Sequence, residues 1–482
     1  MKNSLFFLLF LSLIVGLAFQ GSRGLFESTE GRYAESAREM METGNYLEPQ
    51  LNYKPHWTKP PFIYWALVGG MQLFGQNEWG VRLPQVIAFC LTVLAVAAIG
   101  TAFSGKLAGF LAGLIFLSSF FPVLGAFSLS TDMFLTLWET LAVLCYVKAW
   151  KRESSTLSQK WIYSMWFFFG LGFITKGPVA LLPLLSIVVH RFFLKIPIRI
   201  FNLLGFLIFS IVACWWYVAV EIKHPGLLIH LFKNEVLLRV ATDHSGRNAA
   251  WYYPFILYLP ALILGQGLWL YYFIVMIKKE KLFHFKEIKE SFFRRPHASF
   301  LLLWFWISFI IFCISKSRLM PYVLPIFVPL VVATAIHMDK IVKNRHIFKM
   351  AYLSILIIVM VKGIVSYYPS NKDMKLPWKI IQKHYQPGSY VYSCEETKLF
   401  GLQFYLKGKL KRISTLEHSW VDAPMSHVLE EVQNKKRSFP LMIVCKRKYI
   451  YLMSNWLSRM KIDFSIEENK YWQVFIIKKV SA

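Results

Sequence analysis

The sequence predicts a polytopic α-helical membrane protein with a small soluble α/β domain at its C-terminal end. Three observations predict it. Hydrophobic residues fill 56% of the 482 positions and charged residues only 17%, with a mean hydropathy of +0.44, a balance that excludes an ordinary soluble enzyme and a disordered chain. The apolar residues gather into stretches long enough to cross a bilayer, which takes roughly 20 residues each. After residue 367 those stretches stop, and short β-rich runs alternate with helical ones.

Taken in order, the span-length stretches are 4–20, 81–103, 107–126, 132–150, 161–174, 178–194, 198–220, 251–277, 298–315, 320–337 and 347–366, about 11 in all. The first has Lys2 before its apolar run, as a signal peptide does, but it is long for one and no small-x-small site ends it. It is read as a span. Lys and Arg number 54 against 27 Asp and Glu, a formal charge of +27. In a membrane chain this means basic loops that hold topology and meet anionic headgroups, so no nucleic-acid partner is expected. With the N-terminus in the cytoplasm, Lys106, Lys148, Lys151, Arg152, Lys160, Arg191, Lys195, Arg199, the loop 278–297 and the loop from Lys340 to Lys349 all fall inside. Segment 21–80, the turn near Asp132, the loop 221–250 and everything after about residue 367 then face outward. The expected division is a membrane domain over 1–367, including the first loop 21–80, and a soluble domain over 368–482.

The soluble domain is expected to hold strands at Ser389–Ser393, Leu441–Cys445 and Trp472–Ile477 and a helix at His427–Asn434. Of the six cysteines, Cys90, Cys145, Cys214 and Cys313 fall in apolar spans, and none has metal-type spacing. Cys394 and Cys445 have two readings, a disulfide or two half-buried strand thiols.

Segment 21–80 is too polar for membrane and too patterned for a linker. Ser28 or Thr29 caps a helix running to Gly44, with Tyr33, Ala37, Met40 and Met41 on one face, expected to lie flat at the membrane interface. Residues 62–74 are too short to span and form a second interfacial helix. Between them, NYKPHWTKPP places Lys59 before Pro60 and Pro61, on extended backbone from which its ammonium can reach a headgroup phosphate. Read alone, the acids of the first helix are an ordinary solvated face.

Asp132 opens an apolar span and has two readings, a helix cap or an ionisable group kept at a membrane boundary for function. The topology puts it on the outer face with Glu27, Glu30, Lys59, Lys176, the loop 221–250, Lys316 and Arg318. Carboxylates and cations beside a lipid surface suit chemistry on an anionic lipid. In the loop, Arg239, His244 and Arg247 are candidate phosphate or sugar contacts, because guanidinium forks match phosphate geometry. A lone His is more often structural, and Lys316 and Arg318 also fit a snorkelling role. Glu27, Glu30, Asp132 and His244 could ligate a divalent metal, though their spacing dictates none. No GxGxxG, Walker, GxSxG, HExxH or paired CxxC pattern is present.

The segments LFESTEGRYAESAREMMETGNYLEPQLNYKPHWTKPPFIYW, FGQNEWGVRLPQ, LSTDMFLT, FITKGPVALLP, the NEVLLR to WYY block and SKSRLMPYVLPIFVP together resemble the bacterial aminoarabinose transferase group, allied with the protein O-mannosyltransferases in the GT-C superfamily. The motifs stand in family order over roughly residues 20–330. The resemblance implies about 11–13 transmembrane helices, a soluble C-terminal domain, and one-sugar transfer from a polyprenyl phosphate carrier such as undecaprenyl phosphate. The best known acceptor in that group is a phosphate of lipid A. By motif, Lys59 matches the carrier-phosphate lysine and Asp132 a functionally important acid, and Arg32 lies in the first-loop motif. That motif usually opens with Asp-Glu, and here Thr29 stands at the Asp position and only Glu30 remains.

The expected function is therefore transfer of a single sugar, aminoarabinose or a relative, to lipid A or another envelope glycolipid or protein, with inversion. Glu30 and Asp132 are the catalytic candidates, and Lys59, Arg32, Arg239, His244, Arg247 and Lys316 the carrier-phosphate or sugar contacts. No cofactor is expected beyond the donor itself, with a divalent metal left open, and the chain is expected to be a monomer in the bacterial inner membrane with its site facing the periplasm. The competing reading is a non-enzymatic flippase, a carrier for a lipid-linked sugar or an assembly partner, which Thr29 favours.

Overall fold

The computed structural model describes residues 2–152, 156–243, 246–280, 294–341, 346–396, 398–414, 422 and 440–480. The helix expected at His427–Asn434, His244 and the side chain of Arg239 lie outside the described residues. In chain order the first ten helices are α1 (Lys2–Leu17), α2 (Thr29–Thr43), α3 (Phe62–Phe74), α4 (Glu78–Ser104), α5 (Lys106–Leu117), α6 (Phe120–Phe127), α7 (Thr131–Trp150), α8 (Thr156–Lys176), α9 (Leu182–Leu194) and α10 (Leu203–Lys223). The chain forms two compact units. One comprises Met1–Gln20, His56–Ala66 and Arg82–Gly363, the other Gly21–Pro55, Leu67–Val81 and Ile364–Ala482.

The first unit is helical, as its apolar runs require. Among the described residues six helices are long and apolar enough to cross a membrane, or up to eight if each of two bent pairs is one span. Of these six, the run Thr156–Leu194 contains α8, a 3-10 turn over Gly177–Leu181, and α9. It doubles back. Lys176 at the end of α8 meets Asp132 in the first turn of α7, whereas His190 of α9 bonds the Tyr146 hydroxyl at 2.9 Å, about 21 Å further along α7 at 1.5 Å per residue. The two spans expected at 161–174 and 178–194 are thus two separate passes. Those expected at 4–20 and 320–337 are shorter helices, α1 with 16 residues and Phe327–Ile341 with 15.

Two expected spans are interrupted: 107–126 consists of α5 and α6, bent by 56°. The run 251–277 consists of Pro254–Leu264 and Gly267–Lys279, meeting at 90°. Gly267 takes a φ of +61° at the corner, a conformation open to glycine at little cost. Elsewhere small residues bring helices together: a Cβ on Gly109 of α5 would collide with Thr101 of α4. α10 starts where the Asn202 side chain accepts from the Gly205 amide at 2.7 Å.

The second unit is built on a five-stranded mixed sheet. Two-residue strands β1 (Gln50–Leu51) and β2 (Lys54–Pro55) pair antiparallel in its first-loop part. The main sheet contains β3 (Tyr390–Cys394), β4 (Leu410–Ile413), β5 (Leu441–Lys446), β6 (Ile462–Glu468) and β7 (Trp472–Val480), in the order β4-β3-β5-β7-β6. β3 runs parallel to β4 and β5, while β7 is antiparallel to β5 and β6. β5 is central and buried on both faces, which explains its unbroken apolar reading: Leu441, Ile443 and Cys445 enter one core, Met442 and Val444 the other. Cys394 and Cys445 are free buried thiols in that first core, so the disulfide reading is not realised.

α2 also belongs to this unit. Its residues Glu35 and Glu39 have no exposed surface and Arg38 is 3% exposed, so the expected solvated acidic face is instead an interior. The helix packs on the short helix Phe400–Tyr405, and a Cβ on Gly31 would strike the Gly401 backbone. The charges are satisfied internally, Arg38 holding Glu35 at 2.7 and 2.8 Å and Glu39 accepting the Asn52 and Tyr53 amides at 2.8 Å each. The segment Leu25–Glu27 is tied to the C-terminal part by an isolated bridge between Phe26 and Asp373, with Glu27 N to Lys372 O at 2.9 Å and Met374 N to Leu25 O at 3.2 Å. Much of the first loop therefore shares a compact unit with the region after residue 363, because backbone bonds of long sequence separation hold it there.

Candidate active site

Asp132 stands in the first turn of α7, where Ser130 caps the helix by accepting the Asp132 amide at 3.2 Å. The positive end of the helix dipole favours a carboxylate at that position. Asp132 is nevertheless buried, at 5% exposure, and its carboxylate is paired with the ammonium of Lys176. Lys176 ends α8 just before Gly177 and Pro178 turn the chain, so the turn fixes the ammonium opposite the α7 terminus.

The pair is continued by a third and a fourth group. The Lys176 ammonium lies 4.2 Å from the centroid of the Tyr322 ring, a cation on an aromatic face. The Tyr322 hydroxyl accepts a hydrogen bond from Arg247 at 3.1 Å. Arg247 is held by its own backbone, whose carbonyl takes the Arg318 amide at 2.8 Å. The Arg318 guanidinium is buried and donates to the carbonyls of Asn248, Ala249 and Ala250 at 3.0, 2.8 and 2.9 Å and to that of Cys313 at 2.8 Å. Arg318 is thus the brace of the site, with its charge consumed by carbonyls, while Arg247 is the cation presented. Seven residues on from Asp132, Glu139 is buried at 3% exposure and its Oε1 has no hydrogen-bond partner among the described residues.

Lys59 occupies the same unit. Its ammonium stands 3.8 Å from Glu235, in the π-helical turn Phe232–Leu237. The preceding Trp57 packs on Trp216 and His224, with centroids at 6.3 and 5.3 Å, which docks the segment on α10. Pro60 and Pro61 then lead into α3. Lys316 is exposed, and its amide bonds the Val240 carbonyl at 3.1 Å.

Glu30 and Arg32 lie in the second unit. Glu30 is 2% exposed and receives both terminal nitrogens of Arg23, at 2.7 and 2.8 Å, with the Phe26 amide at 3.1 Å. A carboxylate so occupied orders its loop. Arg32 lies over the Tyr33 ring at 5.5 Å. Glu27 accepts from the Gly401 amide, and burial pushes its carboxyl up to about 8 against the lowering effects of that amide and of Arg32. Among the described residues no three His, Cys, Asp or Glu side chains gather as a metal site would require. Sequence reading left Tyr322, Glu235 and Arg23 out, and it placed Lys176 on the same face as Asp132, with which it pairs, without giving it a role. The signal for Lys176 was a lone ammonium closing an apolar span.

Comparison with known proteins decides the family. The dolichyl-phosphate-mannose-protein mannosyltransferase family matches residues 58–217. An undecaprenyl phosphate-α-4-amino-4-deoxy-L-arabinose arabinosyl transferase of Aeromonas hydrophila is 30% identical over 379 residues, covering 76% of this chain and 66% of its own length. The chain belongs to the aminoarabinose transferase-like family of GT-C membrane glycosyltransferases. A similarly named transferase of Photorhabdus laumondii is 28% identical over 430 residues, covering 85% of this chain and 73% of its own length. The chain thus spans about two thirds to three quarters of these curated relatives. The GT-C fold is shared with the crystal structure of ArnT from Cupriavidus metallidurans bound to undecaprenyl phosphate, at a TM-score of 0.77 and 18% identity over 99% of this chain and 98% of that one. The oligosaccharyltransferase of Archaeoglobus fulgidus is similar at a TM-score of 0.52 and 11% identity, over 100% of this chain and 74% of that one.

Proposed function

We propose that this chain transfers a single sugar, aminoarabinose or a related sugar, from undecaprenyl phosphate to lipid A or another envelope acceptor at the periplasmic face of the bacterial inner membrane. The observation that carries the reading is the linked set Asp132, Lys176, Tyr322 and Arg247, a carboxylate and two cations joined by one aromatic ring. The names of its relatives, which specify undecaprenyl phosphate and aminoarabinose, support the donor.

The chemistry needs charge and alignment. Asp132 orients the attacking oxygen of the acceptor, and where that oxygen is a hydroxyl Asp132 takes its proton. Lys176 holds the Asp132 carboxylate in place through their ion pair. As the anomeric C–O bond to the carrier breaks, the departing phosphate gains charge, which Lys59 and Arg247 stabilise once Lys59 turns from Glu235 to the phosphate. One displacement inverts the anomeric carbon. Glu30, held by Arg23, serves by ordering the first loop. Arg32, Lys316, Arg239 and His244 remain proposed sugar or phosphate contacts.

A non-enzymatic role in moving or presenting the lipid-linked sugar is the second reading. Thr29 at the usual acid position, with Glu30 engaged by Arg23, favours it. Mass spectrometry of lipid A and other envelope glycolipids from a deletion strain separates the two. A sugar-sized mass lost on deletion and restored by the wild-type gene but not by Asp132→Asn supports the transferase. Restoration by Asp132→Asn overturns it in favour of the second reading.

A further inference from the structure

The helix Pro296–Ile314 has 19 residues, so its two ends are about 28 Å apart. Its C-terminal end leads to Arg318 and the proposed transfer site. At its other end a cleft of about 410 Å³ opens between this helix, Gly267–Lys279 and Phe327–Ile341. The volume is in the range of small-molecule and lipid-chain sites.

The cleft has an apolar depth and a charged mouth. Phe273, Met276, Leu301, Phe305, Leu330 and Ile336 line the depth. Glu280, Arg295, His337 and Lys340 form the mouth, where Glu280 accepts from Arg295 at 2.5 Å, His337 at 3.1 Å and Lys340 at 3.3 Å. The chain segments around the mouth hold Lys278, Lys279, Arg294, Arg295 and Lys340, with Glu280 and Asp339 as their acids, and Asp339 accepts from Ser104 at 3.3 Å. Among the described residues the mouth is therefore net positive even with Glu280 charged. Partial burial raises the Glu280 carboxyl, but its bond from His337, the Lys340 charge and Arg295 outweigh this and hold it down at about 2.

We propose that this cleft binds an anionic membrane phospholipid, its phosphate on Arg295 and Lys340 and one acyl chain along the apolar depth. Two observations select this occupant. Only an amphiphile matches an apolar groove that ends in cations at the boundary of a membrane span, and the surplus of cations selects a negative headgroup over a zwitterionic one. A guanidinium and an ammonium side by side suit a phosphate, the first through its fork and the second as a point charge. Glu280 acts as a stand-in anion that keeps the cations in place until a phosphate displaces it. The site is separate from the transfer chemistry and does not depend on it.

The test uses the full-length protein purified in detergent, titrated with dioleoyl phosphatidylglycerol or dioleoyl phosphatidylcholine, with bound lipid counted by native mass spectrometry. Phosphatidylglycerol should be retained in preference by about tenfold, the scale of one good charge-assisted contact. Arg295→Ala combined with Lys340→Ala should erase the preference. Glu280→Gln, which removes the competing anion and leaves the cations, should increase phosphatidylglycerol retention. Ala333→Trp, which fills the cleft from the helix Phe327–Ile341 without touching the charges, should remove the specific lipid while leaving the melting temperature near that of the wild type. Equal retention of the two lipids by the wild type, or undiminished phosphatidylglycerol on Ala333→Trp, overturns the proposal.

Discussion

Lys176 is the residue whose role separates an ion pair kept for stability from one kept for chemistry. Its partner Asp132 is buried, so Lys176→Met leaves an uncompensated carboxylate in a low-dielectric setting, a loss that commonly costs several kcal/mol, about 3–5, in stability. The double variant Asp132→Asn with Lys176→Met should therefore recover most of the melting temperature lost by Lys176→Met, yet remain inactive in transfer from a synthetic polyprenyl-phosphate sugar. Recovery of both properties together would reduce the pair to a structural one. Lys59→Ala should lower the rate of transfer on the order of 10²–10³ with little effect on melting, as loss of one donor to a developing anion does elsewhere. Glu30→Gln has the opposite signature: the Arg23 pair is weakened inside the second unit, so melting should fall more than the rate constant for a saturated enzyme. Asp132 and Lys59 were legible as candidates in the sequence because each is an ionisable group beside an apolar span or a Pro-Pro step. Tyr322 was not, since an aromatic residue in an apolar run looks like any other until its hydroxyl is seen to accept from Arg247.

At the scale of elements, legibility followed how locally each element is determined. β5 was readable from its own run of apolar residues, and α7 from Asp132 opening a span-length apolar run, because both patterns are contained in contiguous sequence. The setting of α2 was not. Its Glu35 and Glu39 look solvated in sequence, and what buries them includes Phe400–Tyr405, more than 350 residues away. The 90° break near Gly267 was likewise hidden in a continuous apolar stretch. The burial of acids in this unit has a measurable consequence. The Glu27 carboxyl is raised to about 8, and that of Glu39 to about 7, with burial the largest cause in each case. Between the ordinary carboxylate value of 4.5 and these values the unfolded chain has released protons that the folded unit retains, so the stability these two groups contribute is full below pH 4.5 and declines toward pH 8. Melting followed by the near-UV signal of the second unit should give a lower temperature at pH 8 than at pH 5. Glu27→Gln should flatten that dependence, and an unchanged slope in this variant would remove Glu27 as its source.

For the whole molecule, the arrangement of charge and the proposed chemistry make one joint demand on orientation. The Asp132 and Lys176 pair sits at the end of α7 and α8 opposite to Lys151, which follows α7, and α9 carries the chain back to Lys195. If basic loops stay in the cytoplasm, Lys151 and Lys195 are inside and Lys316 is outside, and the transfer site opens where an envelope acceptor can reach it. The three lysines are all exposed, so each can be replaced by Cys without opening the core. The native cysteines are buried or only partly exposed, which keeps their background labelling low. In intact spheroplasts a membrane-impermeant maleimide should label Lys316→Cys and leave Lys151→Cys and Lys195→Cys unlabelled until the membrane is permeabilised. The reverse pattern would place the Asp132 end in the cytoplasm and would contradict both the charge argument and the proposed periplasmic acceptor. Labelling of Lys151→Cys and Lys195→Cys on opposite sides would instead show that α8 and α9 do not double back, contradicting the two-pass path that the Tyr146 and His190 contact requires.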